Sequence, residues 1–251
     1  MSSADPVAGA AAGTRRAELA GNLDRVRARI AAACAAAGRP AAEVTLVAVT
    51  KTYPAADVVL LTGLGVTDVG ENRDQEAAAK AAEATAAGAR PRWHFVGRLQ
   101  RNKCRSVVGY ADVVQSVDSV RLAAALDRAA GQVRDAPLDV LVQVSVDGDP
   151  HRGGALPGAA AADAGLDAVA AAVAGAPALR LAGLMAVAPQ GWEPARAFGR
   201  LAEVAAAVRA DHPGATALSA GMSADLEAAV AAGATLVRVG SALLGMRATL
   251  R

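Results

Sequence analysis

The chain has 251 residues, a formal net charge of +2, and 53% hydrophobic but only 2% aromatic residues. That length suits two small domains or one α/β domain, since an α/β barrel closes at roughly 250 residues. Lysines and arginines are scattered among nearly as many acids, with no basic face and no aromatic stacking platform, which argues against nucleic-acid binding as the main task.

Met1–Gly13 is small and polar, carries Asp5, and lacks the basic start and apolar run of a signal peptide. It reads as a disordered tail. Thr14–Ala37 follows as a helix, with Leu19, Leu23, Val26 and Ile30 three or four residues apart and Gly38-Arg39-Pro40 ending it. Val44–Val49 is a β-branched run and the first strand. Further strands are expected at Asp68–Gly70, Trp93–Val96, Asp112–Ser116, Val140–Val146, Leu181–Val187, Thr216–Leu218 and Thr235–Val239. Helical segments separate nearly all of them, at Ala55–Leu64, Glu71–Ala87, Asn102–Val108, Ser119–Gly131, Ala159–Ala174, Pro194–Ala210 and Ser223–Ala232. The alanine run Ala159–Ala162 is read as helix because alanine is the best helix former.

About eight strand-then-helix units close a parallel barrel, so residues 14–251 are expected to form a single (β/α)8 barrel of the TIM type. An open doubly wound sheet is the structural alternative. No Gly-x-Gly-x-x-Gly follows the first strand, which weakens a dinucleotide reading. Cys34 and Cys104 form no Cys-x-x-Cys pair, and no uninterrupted apolar stretch is long enough to span a bilayer. A reduced, soluble, cytoplasmic protein is expected, with no membrane partner.

In such barrels chemistry gathers where strands end on the C-terminal face. Lys51 follows strand one, Asn72 and Arg73 strand two, His94 and Gly97 lie in or after strand three, and Ser116 ends strand four. Arg152 follows strand five, Met185 and Pro189 flank the end of strand six, Ser219 follows strand seven, and Arg238, Gly240 and Ser241 close strand eight. With the strands so placed these groups face one pocket, but that names no ligand.

Parity groups Lys51 with Val47 and Val49. On an inward face its ammonium would be partly desolvated, which lowers a lysine pKa and frees the amine for Schiff-base chemistry. From position alone a strand-end lysine reaching water is the plainer reading. Gly240-Ser241 before a short helical piece, Ala242–Gly245, describes a phosphate cradle, with Ser219 and the Gly221-Met222-Ser223 turn nearby. Equally, Gly240 only turns and Ser223 only caps. Glu71 and Glu76 read as acids of a first helical turn, which leaves Asn72 for the pocket. His94, between Trp93 and Phe95, reads from position as structural, and three scattered histidines argue against a metal site.

Certain segments recur in a familiar order from about Asn22 to Arg247. They are Leu46-Val47-Ala48-Val49-Thr50-Lys51-Thr52, Gly70-Glu71-Asn72-Arg73-Asp74-Gln75-Glu76, Trp93-His94-Phe95-Val96-Gly97-Arg98-Leu99-Gln100-Arg101-Asn102-Lys103, Gln115-Ser116-Val117-Asp118, Leu181-Ala182-Gly183-Leu184-Met185, Leu218-Ser219-Ala220-Gly221-Met222-Ser223-Ala224-Asp225 and Val237-Arg238-Val239-Gly240-Ser241. In these the chain resembles the pyridoxal phosphate homeostasis proteins.

The resemblance implies the barrel of the alanine racemase N-terminal domain and pyridoxal 5'-phosphate held on Lys51 as a Schiff base. It implies Arg238 against the pyridine nitrogen, Ser219, Gly240 and Ser241 on the phosphate, and Asn72 and His94 near the cofactor. It also implies a monomeric carrier without significant turnover, with no catalytic residues of its own, serving apo-enzymes that need the cofactor. The alternative is a pyridoxal phosphate-dependent amino-acid racemase. Family racemases use a second domain that supplies a tyrosine base opposite the lysine; here the chain ends soon after Gly240, its only tyrosines are Tyr53 and Tyr110, and the carrier is favoured. Three positions depart from the common pattern. Tyr53 stands where a lysine is frequent, Gln115 where a histidine often stands, and Ser241 where threonine is usual.

Overall fold

Eight short runs, most of them containing valine or leucine, form strands β1 (Thr45–Val49), β2 (Asp68–Glu71), β3 (Arg92–Phe95), β4 (Val113–Val117), β5 (Leu138–Gln143), β6 (Leu179–Met185), β7 (Ala217–Ser219) and β8 (Leu236–Val239). Each pairs in parallel with the next, and β8 returns to β1, so the sheet is a closed barrel. The computed structural model describes residues 6–160 and 162–245. Helices α1 (Pro6–Ala36), α2 (Ala55–Gly63), α3 (Asp74–Ala86), α4 (Cys104–Val107), α5 (Val120–Val133), α6 (Leu166–Ala174), α7 (Pro194–Asp211), α8 (Leu226–Ala231) and α9 (Ser241–Leu244) surround it. Closure excludes the open-sheet alternative. Among the described residues no helix is long and apolar enough to cross a membrane.

Strand periodicity sorts the side chains into two environments. Leu46 and Ala48 of β1 join Leu19, Leu23, Val26 and Ile30 of α1 in an apolar cluster between sheet and helices. Val47 faces the other way: a Cβ built on Gly70 would lie 3.2 Å from its Cγ1 and 3.5 Å from Val49 Cγ2. A separate small cluster, Val113, Leu141 and Met185, contains strand residues only and fills the barrel interior. At the N-terminal ends of the strands Asp139 accepts from Arg180 Nε at 2.5 Å and Nη2 at 2.7 Å, and from Arg92, which floors the barrel with paired charge.

Three sequence expectations shift. Helix α1 starts at Pro6, inside the segment read as a tail, because its alanine-rich sequence continues the helix backward; residues 1–5 lie outside the described residues. The stretch Ala159–Ala162 is not helical where described, and α6 begins only at Leu166. Tertiary bonds claim its neighbours: Val120 N–H donates to Asp163 O, Leu156 N–H to Ala164 O, Leu166 N–H to Leu156 O, and Arg121 pairs with Asp163. Glu71 belongs to β2 rather than to the first turn of α3, and it is fully buried.

Gly183 marks a tight approach. Val140 pairs with Leu181 but Leu141 pairs with Gly183, so β6 carries one extra residue there, and Gly183 sits beside Ala217 of β7. A Cβ on Gly183 would lie 1.8 Å from the Ala217 carbonyl oxygen. Gly183→Ala is expected to destabilise the fold by on the order of 3 kcal/mol in urea titration. Gly199→Ala, in α7 with open space around it, should be neutral or stabilising by about 0.5–1 kcal/mol. Equal midpoints for the two variants would contradict the packing assigned to Gly183.

Candidate functional site

A line of buried polar side chains crosses the barrel. Arg238 donates from Nη1 to Ser219 Oγ at 2.7 Å, Ser219 Oγ donates to Gln115 Oε1 at 2.7 Å, and Gln115 Nε2 meets His94 Nδ1 at 2.8 Å. His94 Nε2 then meets Asp68 Oδ1 at 2.8 Å. His94, Gln115 and Ser219 have no exposed surface, and Arg238 is 5% exposed.

Arginine has donors only, so this end sets the direction of the whole line. Ser219 accepts from Arg238 and gives its one proton to Gln115 Oε1. That turns the Gln115 amide so that its NH2 donates to His94 Nδ1. His94 therefore carries its proton on Nε2 and gives that bond to Asp68. Burial pushes the Asp68 carboxyl up, but bonds from His94 and Thr67, with the charge of Arg92, outweigh it and hold the group below its ordinary value.

Arg238 has a second bond, Nη2 to the Ala186 carbonyl at 2.8 Å, and no carboxylate within ion-pair distance among the described residues. Burial pushes its guanidinium down to about 10, against the charge of Asp225, which pulls it up. It stays a cation at neutral pH, in a place where an unpaired cation is costly.

Around this line the expected residues are spread over the C-terminal face. Lys51 is exposed in the turn after β1. Ser241 opens α9, and its hydroxyl donates to Ser223 Oγ at 3.3 Å; Ala242 N–H also points to Ser223 Oγ at 3.3 Å. Gly240 lies between Arg238 and Ser241 on this rim. Ser223, expected in a turn beside the phosphate cradle or else as a cap, meets Ser241, whereas Ser219 sits deep in the interior with its hydroxyl committed to Gln115 and Arg238. Gly221 makes the approach possible: its φ is 85°, and a Cβ there would lie 2.6 Å from Ala229 Cβ.

The two sides of the rim are tied together. Tyr53, two residues after Lys51, donates from its hydroxyl to Gly245 O at 2.6 Å. Asn22 Nδ2 donates to Leu243 O at 2.8 Å, and Arg15 Nη2 to Leu244 O at 3.1 Å. These three donors satisfy carbonyls at the end of α9 that no helical N–H can reach.

Asn72 is half-buried in the bend after β2 and stands farther along the rim. It lines a cavity of about 1030 Å³ with Arg73, Arg98, Arg101 and Lys103, to which Lys51, Ser219, Arg238 and Ser241 do not contribute. Arg152 pairs with Asp147 at 2.9 Å in the loop after β5. The missed participants are Asp68 and Gln115, each on a different strand from its partner. The inward parity of Gln115 with Val113 was the available signal.

Known proteins resemble this chain in sequence and fold. A family profile described as alanine racemase, N-terminal domain, matches residues 21–248. A pyridoxal phosphate homeostasis protein of Mycobacterium leprae is 47% identical over 248 residues, covering 93% of this chain and 94% of its own. One from Escherichia coli is 38% identical over 235 residues, covering 92% and 97%. The PipY protein of Synechococcus elongatus, solved with PLP bound, is 33% identical with a TM-score of 0.73, covering 90% of this chain and all of that one (100%). Alanine racemase of Corynebacterium glutamicum, 17% identical at a TM-score of 0.61 over 91% of this chain and 63% of its own, shares the fold.

A depressed folded-state carboxyl contributes stability that is present above the ordinary carboxylate range and lost as pH falls through the folded value. The parental protein should therefore lose stability on acidification below about pH 4 partly through Asp68. Asp68→Asn should be less stable at neutral pH and show a shallower acid decline in urea titrations. Parallel curves would remove Asp68 from the line.

Proposed function

The chain belongs to the pyridoxal phosphate homeostasis family, and on that premise we propose that it carries pyridoxal 5'-phosphate as a Schiff base on Lys51 without turning over amino acids. Arg238 is the observation that carries this reading. A buried guanidinium held only by a hydroxyl and a carbonyl has donor capacity left for a neutral acceptor brought by a ligand, and the pyridine nitrogen is such an acceptor. Bound pyridoxal phosphate supplies an aldehyde that captures an amine and, when its ring is protonated, a sink for electrons.

The residues present suit that group. Lys51 is an exposed primary amine at the mouth. Ser223 and Ser241, with the backbone of Gly240, form a small cluster of hydroxyl and amide donors for the phosphate. Ser219, expected on the phosphate, accepts from Arg238, and His94 stands behind both. Asn72 sits on the rim beyond.

Arg238 keeps its proton, so a ring nitrogen facing it accepts and stays unprotonated. That favours holding the cofactor over carbanion chemistry. Neither tyrosine is offered as a base: Tyr53 donates to Gly245 O, and Tyr110 packs between the two helix-facing clusters, where burial drives its phenol well above the ordinary value. The same proposal has the chain act as a monomer in the cytoplasm, where its free, buried Cys34 and Cys104 stay reduced, and pass the cofactor to apo-enzymes.

Borohydride reduction of the loaded protein followed by peptide mapping should place the label on Lys51, and Lys51→Ala should lose it. The double variant Ser223→Ala/Ser241→Ala should weaken retention of pyridoxal phosphate but not of pyridoxal, because each charge-assisted bond is worth about 1.5–3 kcal/mol. Label found only on another lysine would overturn the attachment. Equal losses for both ligands would move the phosphate elsewhere.

A further inference from the structure

Lys51 is exposed, but the residues on either side of it are clamped. Thr50 is fully buried; its hydroxyl donates to Glu71 Oε1 at 2.6 Å, and its carbonyl accepts from Lys80 Nζ at 2.8 Å. Thr52 N–H donates to Glu76 Oε1 at 2.5 Å. Lys80, 5% exposed, joins the two sides: its ammonium also meets Glu71 Oε1 at 2.5 Å and Glu76 Oε1 at 3.1 Å. The three donors of one buried lysine thus go to the backbone before Lys51 and to the two carboxylates that hold its neighbours.

The clamp holds an unfavourable conformation. Thr52 has φ 69°, the one positive value at a non-glycine among the described residues, and a β-branched side chain resists that region. Beneath it, Glu71 Oε2 is buried without a hydrogen-bond partner. A strained residue and an unsatisfied carboxylate oxygen at one place point from the outlier toward a functional constraint. Thr52 itself lies outside the barrel strands, since β1 ends at Val49 and α2 begins at Ala55.

We propose that Lys80, through Glu71 and Glu76, is a positioning residue that holds the Thr50–Thr52 turn so that the Lys51 amine is presented to an incoming aldehyde. The attacking amine keeps its reach while its backbone does not wander, which is how a fixed turn speeds a bimolecular capture. This rests on Lys51 being the attachment lysine.

Glu76→Ala is the cleanest test. It removes the bond to Thr52 N–H and one bond of Lys80 from a partly exposed helix position that tolerates alanine. Apo-protein is mixed with pyridoxal, which has no phosphate to engage the serines. The rate of borohydride-trapped label at Lys51 is then followed beside the thermal midpoint. Glu76→Ala should trap about tenfold more slowly while its midpoint stays near the parental value. Lys80→Met should slow trapping further and lower the midpoint, and Lys80→Arg should recover part of both.

If Glu76→Ala does not fold, Glu76→Gln decides: slower trapping supports the clamp and parental trapping overturns it. Parental rates in folded Glu76→Ala, with label on Lys51 in both proteins, would overturn the clamp alone. Label absent from Lys51 in the parental protein would overturn the attachment and the clamp together.

Discussion

The interior depends on one donor-only cation placed where water cannot reach it. Among the described residues Arg238 has no carboxylate within ion-pair distance, so its protons go to neutral acceptors, Ser219 and the Ala186 carbonyl. Because arginine cannot accept, each partner farther along is left one way to bond. Ser219 passes its proton to Gln115, Gln115 turns its amide toward His94, and His94 turns its N–H toward Asp68. A cation at one end of the barrel bore and a carboxylate at the other are joined by three neutral groups, all donating in the same direction. Cooperative polarisation along such a line strengthens every bond in it, and loss of any member leaves a buried group unsatisfied.

The rim is built on this interior but held from outside. Strand β1 delivers Lys51, β8 delivers Gly240 and Ser241, and these strands are neighbours in the closed sheet. Tyr53 on the Lys51 side reaches across to Gly245, while Asn22 and Arg15 of α1 fasten the end of α9. The N-terminal helix thus also holds the carbonyls of Leu243 and Leu244 at the end of α9. The polar cavity beside Asn72 lies on the same face but belongs to the loops after β2, β3 and β4. A roomy cavity and the place where buried charge is concentrated are here different parts of the molecule.

Much of this was legible in the sequence because it is local. The strand runs, the helix spacing of Leu19, Leu23, Val26 and Ile30, and the Gly240-Ser241 turn are all carried by a few adjacent residues. Lys51 was visible as a polar residue at the end of an apolar strand. What was hidden joins distant segments. Glu71 looked like an ordinary first-turn acid, because its partner Lys80 lies on α3 and only the fold buries the two together. Gln115 looked like a departure from a histidine pattern, although its amide can both accept and donate, which the line from Arg238 to His94 requires. Ser219 and Ser223 lie four residues apart after the same strand; strand parity sends the first inward to Arg238, and the turn at Gly221 brings the second out to Ser241. Ala159–Ala162 read as helix because its propensity is high, but bonds formed by Leu156, Asp163 and Ala164 override that preference.

The direction of the hydrogen-bond line can be read from a single ring. Nitrogen-15 spectra of the protein labelled at histidine, with His94 assigned by substitution, report which ring nitrogen carries the proton. A line directed by Arg238 predicts a proton on Nε2 and a bare Nδ1. A proton on Nδ1 would contradict the account, because Gln115 could not then donate to His94 and the line would not start from Arg238.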